Sequence, residues 1–410
     1  MPFGGSDGSA DWLRHPAAIL RLLVAVIAAA TPAFAGNWPQ FRGPRVNGNS
    51  DEILASTLHL TWKAKLPGPG HSSPIVWGDR IFLTAFEPET STLRRLAGFR
   101  GRLLVLALAR ADGHLLWRRE IPADAIEQTT NINQPASPTP ATDGRRVYVY
   151  FGSFGVAAFT VDGAPVWERK IGPYPHHMGT GSSPVLSGER LILNVETDGP
   201  SFLYSINTRT GQIGWRVPRK TRQAAYSTPV IWDHTIAVAG HESVMAYSLE
   251  DGRHLWTAPG LSTYVVPTPV FGAGLLFATS NGPGGNAVLT LRPDGETAWR
   301  ASRGGAYVAS PVLQSSRLFT VNQNCVVSAL DTRTGRLESQ QRLPTQGECY
   351  ASPVATAEAI YIATTAGELF TLDRAGISKL ELYGRILASP AISNGAMYLR
   401  SDSHLYALLP

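Results

Sequence analysis

Short apolar runs rich in β-branched and aromatic residues recur along the chain, among them Ile81-Phe82-Leu83, Val147-Tyr148-Val149, Leu318-Phe319-Thr320 and Ile360-Tyr361-Ile362. Turn-forming residues bound each run, the pattern of strands rather than helices. A further run follows, as in Leu203-Tyr204-Ser205-Ile206 and Val327-Ser328-Ala329-Leu330. Then comes a turn ending in Gly and, four residues on, usually Trp: Gly113/Trp117, Gly163/Trp167, Gly211/Trp215, Gly252/Trp256 and Gly295/Trp299. Ser339 and Leu380 take the Trp place in the sixth and seventh units.

Each unit opens with Ser or Thr, then Pro, then a small aliphatic residue. The motif stands at Ser73-Pro74-Ile75, Thr139-Pro140-Ala141, Ser183-Pro184-Val185 and Thr228-Pro229-Val230. It returns at Thr268-Pro269-Val270, Ser310-Pro311-Val312, Ser352-Pro353-Val354 and Ser389-Pro390-Ala391. Successive prolines lie 66, 44, 45, 40, 42, 42 and 37 residues apart. Four short strands in such a period describe one propeller blade, so the chain is predicted to be all-β, an eight-bladed β-propeller of four-stranded blades. Proline has no N–H for a ladder and suits an edge strand, here the strand lining the channel. The last unit stops after three strands, at Leu405-Tyr406-Ala407-Leu408, while Thr57-Leu58-His59-Leu60-Thr61-Trp62 is a lone strand. Pairing the two closes the ring. The tryptophans are expected to pack between blades, each truncation to Ala costing roughly 3–5 kcal/mol.

Composition refines this picture: 40 Gly and 30 Pro serve many turns, and only 16% of residues are charged. The net charge of +5 is spread without a basic run, which argues against nucleic acid as a partner. Arg14, His15 and Arg21 precede an apolar run from Leu22 to Ala30, then Thr31-Pro32-Ala33-Phe34-Ala35. That is the layout of a secretory leader, too short to span a bilayer. Residues 1–35 are therefore read as a cleavable signal peptide, 36–54 as a lead-in segment and 55–410 as the propeller. A periplasmic or secreted monomer without a transmembrane segment in the mature chain is expected. Cys325 and Cys349 fit either one disulfide in an oxidising compartment or two buried thiols.

The runs Ala329-Leu330-Asp331-Thr332-Arg333-Thr334-Gly335 and NTRTGQIGW (207–215) resemble the tryptophan-docking repeat of quinoprotein propellers. The same repeat occurs in the β-propeller lipoprotein of the outer-membrane barrel-assembly machine. NWPQFRGPRVNG (37–48) is similar to a group of exported bacterial proteins with quinone-binding-like repeats. The resemblance implies the propeller fold; function must be argued from a site.

Strand direction puts the segments before each proline, and the loops joining second and third strands, on one face, the upper one. The first set offers His71, Asn133, His176, His177, Tyr226, Tyr264, Tyr307, Tyr350 and Arg385; the second offers His241, Asn281 and Asn322. Four tyrosines at a channel mouth suit stacking on a peptide, a sugar or a flat cofactor. In the first unit, Glu87 to Arg102 and Ile121 to Ala136 read as long upper-face loops, a length that suggests partner recognition. The resemblance to quinoprotein alcohol dehydrogenases implies adjacent cysteines, a Trp floor under the quinone, and Glu, Asn and Asp around calcium. Here no cysteines are adjacent and the tryptophans occupy docking positions, turns, the lead-in segment (Trp38) or the leader (Trp12); Glu196, Asn281 and Asp402 are the oxygen donors to hand. His176-His177 lacks zinc spacing. The sequence thus points to a non-catalytic binding scaffold for an envelope protein, peptide or glycan, with no cofactor and no metal. The alternative is a pyrroloquinoline-quinone and calcium dehydrogenase with a degenerate site.

Overall fold

A computed structural model describes residues 36–88, 99–126, 129–152, 154–172, 174–219, 221 and 223–410; the signal-peptide assignment lies outside them. Eight four-stranded antiparallel sheets form, and no helix occurs among the described residues. The innermost strands begin at Ile75, Ala141, Val185, Val230, Val270, Val312, Val354 and Ala391, each directly after a motif proline. Blade three shows the plan: Val185–Ser187, Arg190–Val195, Ser201–Asn207 and Ile213–Arg219, in register through Val185↔Ile192, Leu193↔Tyr204 and Ser205↔Trp215. The two middle strands of a blade are apolar on both faces because each face packs on a neighbouring blade. Tyr148, Tyr150 and Val156 of blade two thus share a core with Leu191, Leu193 and Ile206 of blade three.

The ring closes through the chain ends. His59–Lys65 is the outer strand of blade eight and pairs antiparallel with His404–Leu409, with Leu60↔Leu408, Trp62↔Ala407 and Lys65↔His404 in register. The sequence placed this strand two residues early.

The Gly-x3-Trp turn works between blades. Trp167 of blade two lies on Gly211 of blade three, where a Cβ would stand 2.6 Å from the indole Cδ2. Gly211 also has φ +70°, so the turn needs glycine for both reasons. The indole N–H then donates to Thr208 O at 2.9 Å. The same ring-on-glycine packing joins Trp117 to Gly163, Trp215 to Gly252 and Trp62 to Gly113, the last across the closure. These rings are only half-buried on the outer strands, so the truncation cost expected from sequence is an upper bound. Where Ser339 replaces Trp, nothing covers Gly376 of the next blade.

Two sequence readings change. Glu87–Pro88, Phe99–Arg102 and Ile121–Ile126 are not loops but continuations of long strands in blade one, paired as far as Pro88↔Gly101; Arg94 and Arg95 lie outside the described residues. The lead-in segment is a plug across the lower face. Trp38 exchanges backbone hydrogen bonds with Val76 of blade one (2.8 and 2.9 Å), and Pro39 O accepts from Thr142 of blade two. Gln40 Oε1 accepts from Leu186 N–H of blade three. Asn49 Nδ2 then donates to Leu313 O of blade six, and Gly48 O accepts from Ala355 N–H of blade seven. Cys325 and Cys349, left open by the sequence, are joined as a disulfide between blades six and seven, Cα–Cα 5.1 Å.

Candidate functional site

The eight motif Ser and Thr residues form a closed belt. The N–H of Ser73 donates to Thr139 Oγ1, Thr139 to Ser183 Oγ, Ser183 to Thr228 Oγ1 and Thr228 to Thr268 Oγ1. Thr268 donates to Ser310, Ser310 to Ser352, Ser352 to Ser389, and Ser389 back to Ser73. All eight bonds are buried and measure 2.9–3.2 Å. Each hydroxyl gives the N–H of the preceding blade an acceptor that the following proline's ladder does not supply. The belt is the physical reason that Ser or Thr stands before every one of these prolines.

Above the belt lies a cavity of about 150 Å³ lined by all eight belt residues. Tyr226, Tyr264, Tyr307 and Tyr350, from the approaches to blades four to seven, make one wall; His71 and Asn133 stand on the other. Phe41 of the plug also lines it, and with Gln40 held by blade three and Asn49 by blade six it sits beneath the belt. Among the described residues the plug therefore lies across the lower end of the channel and leaves a cup above it. Sequence reasoning missed the belt and Phe41 as lining; the repeated Ser/Thr was their visible sign.

The rim is stitched across blades. Asn133 Nδ2 donates to Met178 O at 2.7 Å, and Arg385 Nη1 donates to Asn131 O. Tyr350 OH donates to Glu348 Oε1 at 2.9 Å. Tyr226 is 7% exposed and its hydroxyl has no partner among the described residues; burial raises its pKa. Burial, with Arg400 and Arg385 nearby, pushes the His71 pKa down to about 3, so the ring is neutral.

The other sequence candidates are placed elsewhere. His177 sits above the wall, its Nδ1 2.7 Å from Asp198 Oδ2 and its ring edge-on to Tyr264 at 6.0 Å. His176 lines a small void with Tyr150 of blade two, Asn194 and Glu196 of blade three and Ala225, its pKa lowered to about 4 by burial. His241 meets Thr263 O and Glu242, Asn281 pairs with Asn286 in a hairpin, and Asn322 Oδ1 accepts from Asn324 and Val326 within its own turn. None of these five, nor Arg385, lines the cup. Glu196 is not a free oxygen donor: it is fully buried against Arg219. Among the described residues no group of three His, Cys, Asp or Glu is placed to hold a metal ion.

Solved structures share this fold. The protein is similar to BamB from Moraxella catarrhalis (TM-score 0.64, 14% identity, 86% of this chain and 100% of that one). A europium-containing methanol dehydrogenase aligns at TM-score 0.68 and 9% identity over 92% of this chain and 98% of its own. The quinohemoprotein alcohol dehydrogenase of Comamonas testosteroni aligns at 0.66 and 11% over 92% and 81%. At these identities the likeness is one of fold. No curated protein sequence matches significantly. The family described as outer membrane protein assembly factor BamB matches residues 48–179, 87–301 and 156–379 in overlapping stretches. With the repeats, the belt and the docking turns accounted for, the chain belongs to that family.

Proposed function

We propose that this is an exported, non-catalytic scaffold of cell-envelope assembly that receives a segment of a partner protein in the upper cup. The observation that carries the reading is the cup itself: bounded below by Phe41, walled by four tyrosines, and about 150 Å³ in volume. Small-molecule sites usually span ~300–1,000 Å³, so this one suits a single inserted side chain. Tyrosines are frequent anchors of protein interfaces, giving large contact area at low entropic cost. Membership of the BamB family supports a role in outer-membrane assembly.

The residues present do not fit a quinone cofactor. Among the described residues the cup's lining holds no tryptophan and no carboxylate, and Cys325 and Cys349 lie in the blade six to seven core, away from it. No step is derived through that group.

The test is capture from envelope extracts with the wild-type chain and the Tyr264→Ala/Tyr307→Ala variant. A protein retained by the wild type and held at least about tenfold less by the variant is expected, the loss of one or two interface anchors. A melting shift with quinone plus calcium, accompanied by dye-linked alcohol oxidation, would overturn the reading.

A further inference from the structure

Two arginines are buried without a salt bridge among the described residues. Arg42 follows Phe41 in the plug; its Nη2 donates to Asn47 O and to Pro311 O, next to belt residue Ser310. Arg400 of blade eight donates Nη1 to Ser72 Oγ at 2.8 Å and to Thr84 O, next to belt residue Ser73. Both are 0% exposed, and each keeps two guanidinium nitrogens without an acceptor among the described residues: Nε and Nη1 of Arg42, Nε and Nη2 of Arg400. Burial pushes both pKa values down to about 9, and the only acid acting on either is Asp402, on Arg400. Buried cations without counter-charge are strongly unfavourable.

The belt adds donors of the matching kind. Every belt oxygen accepts one N–H, and none of the eight hydroxyl protons has a protein acceptor among the described residues. The belt is thus a ring of hydroxyl donors with two buried guanidiniums, neither in a salt bridge among the described residues, hydrogen-bonded next to it. Among the described residues the cup's lining contains no acidic side chain; at the rim, Glu348 is engaged by Tyr350 and Asp198 by His177. Tyr226, nine-tenths buried on the wall, presents one more unpartnered hydroxyl.

We propose that the cup takes a carboxylate carried on an apolar body, the anion on the hydroxyl belt and the body against the tyrosine wall. The inference rests on the cup being the binding site, and it names the chemistry of what enters. That carboxylate comes either from the C-terminus of a peptide or from an acidic side chain.

Isothermal titration of the full chain separates these sources with three probes: N-acetyl-L-phenylalanine, N-acetyl-L-glutamic acid α-amide, and neutral N-acetyl-L-phenylalaninamide. At least one acid is expected to bind about tenfold or more tighter than the neutral amide, as charge-assisted hydrogen bonds are about twice as strong as neutral ones, and the tighter acid names the source. Arg42→Gln and Arg400→Gln should each weaken the acid about tenfold, leave the amide unchanged, and leave the ligand-free melting temperature unchanged or higher, because a buried unpaired charge is gone. A purely structural arginine would lower it. Should the variants fail to fold, the acid and amide comparison on the wild type decides alone. Equal binding of acid and amide, or binding of neither, overturns the carboxylate inference; envelope capture by the tyrosine wall, measured separately, still decides the scaffold reading.

Discussion

Glu196→Gln is expected to lower the unfolding free energy by about 3–5 kcal/mol, the cost of leaving one member of a buried ion pair alone. Glu196 directly follows the second strand of blade three and Arg219 ends the fourth; both side chains are wholly shielded from water. The Arg219 Nη1 also donates to Asn194 Oδ1 at 2.7 Å, and its Nε reaches Tyr247 OH of blade four at 3.4 Å. Asn194 Nδ2 in turn donates to Ser227 O, beside the belt. The pair therefore pins blade three to blade four behind the tyrosine wall. With the carboxylate neutralised, a guanidinium stays in the low-dielectric interior with only neutral partners. The double variant Glu196→Leu/Arg219→Met should recover most of the loss, since apolar replacements of whole buried pairs are often neutral or stabilising. Urea denaturation of the three proteins measures both effects; a single variant as stable as wild type would refute the assignment.

Stability should also fall by about 2 kcal/mol for each of His71 and His176 between pH 7 and pH 5. In the folded chain their pKa values are depressed to about 3 and about 4, burial being the main cause in both. In the unfolded chain each titrates near its ordinary value of 6.5. Below that value the unfolded state binds the proton and the folded state does not, so the contribution is complete above pH 6.5 and is lost as pH falls toward the folded values. Carboxylates held low, such as Asp51 by its hydrogen bond from Arg45, titrate beneath this window. The His71→Asn/His176→Asn variant should show a nearly flat urea midpoint from pH 7 to pH 5. A slope equal to that of the wild type would contradict the burial of both rings.

The architecture was legible because a propeller repeats one solution eight times. The Ser/Thr-Pro motif marks each channel strand and the Gly-x3-Trp turn marks each outer strand, so spacing alone counts the blades and exposes the unpaired ends. The plug was not legible as structure. Residues 37–50 have no periodicity, and their partners, such as Leu186, Leu313 and Ala355, are far away in sequence. The site was half visible. Segments leading into the first strands reach the axis, and Tyr226, Tyr264, Tyr307, Tyr350, His71 and Asn133 meet there. His241, Asn281 and Asn322 share the face but not the cup, because strands step outward by about 4.8 Å each and their loops stand one to two steps farther out. The buried pair of Glu196 with Arg219 was hidden for another reason: nothing in a lone sequence says which of many arginines a carboxylate will meet.

Placing p-benzoylphenylalanine at Tyr307, inside the cup, and separately at Leu255 on the exposed outer strand of blade four puts the docking claim to its most direct test. After irradiation in the native envelope, a covalent adduct with an envelope protein from position 307, with none from 255, is the expected result. An adduct from 255 alone, or none from 307, would contradict the cup as the docking site.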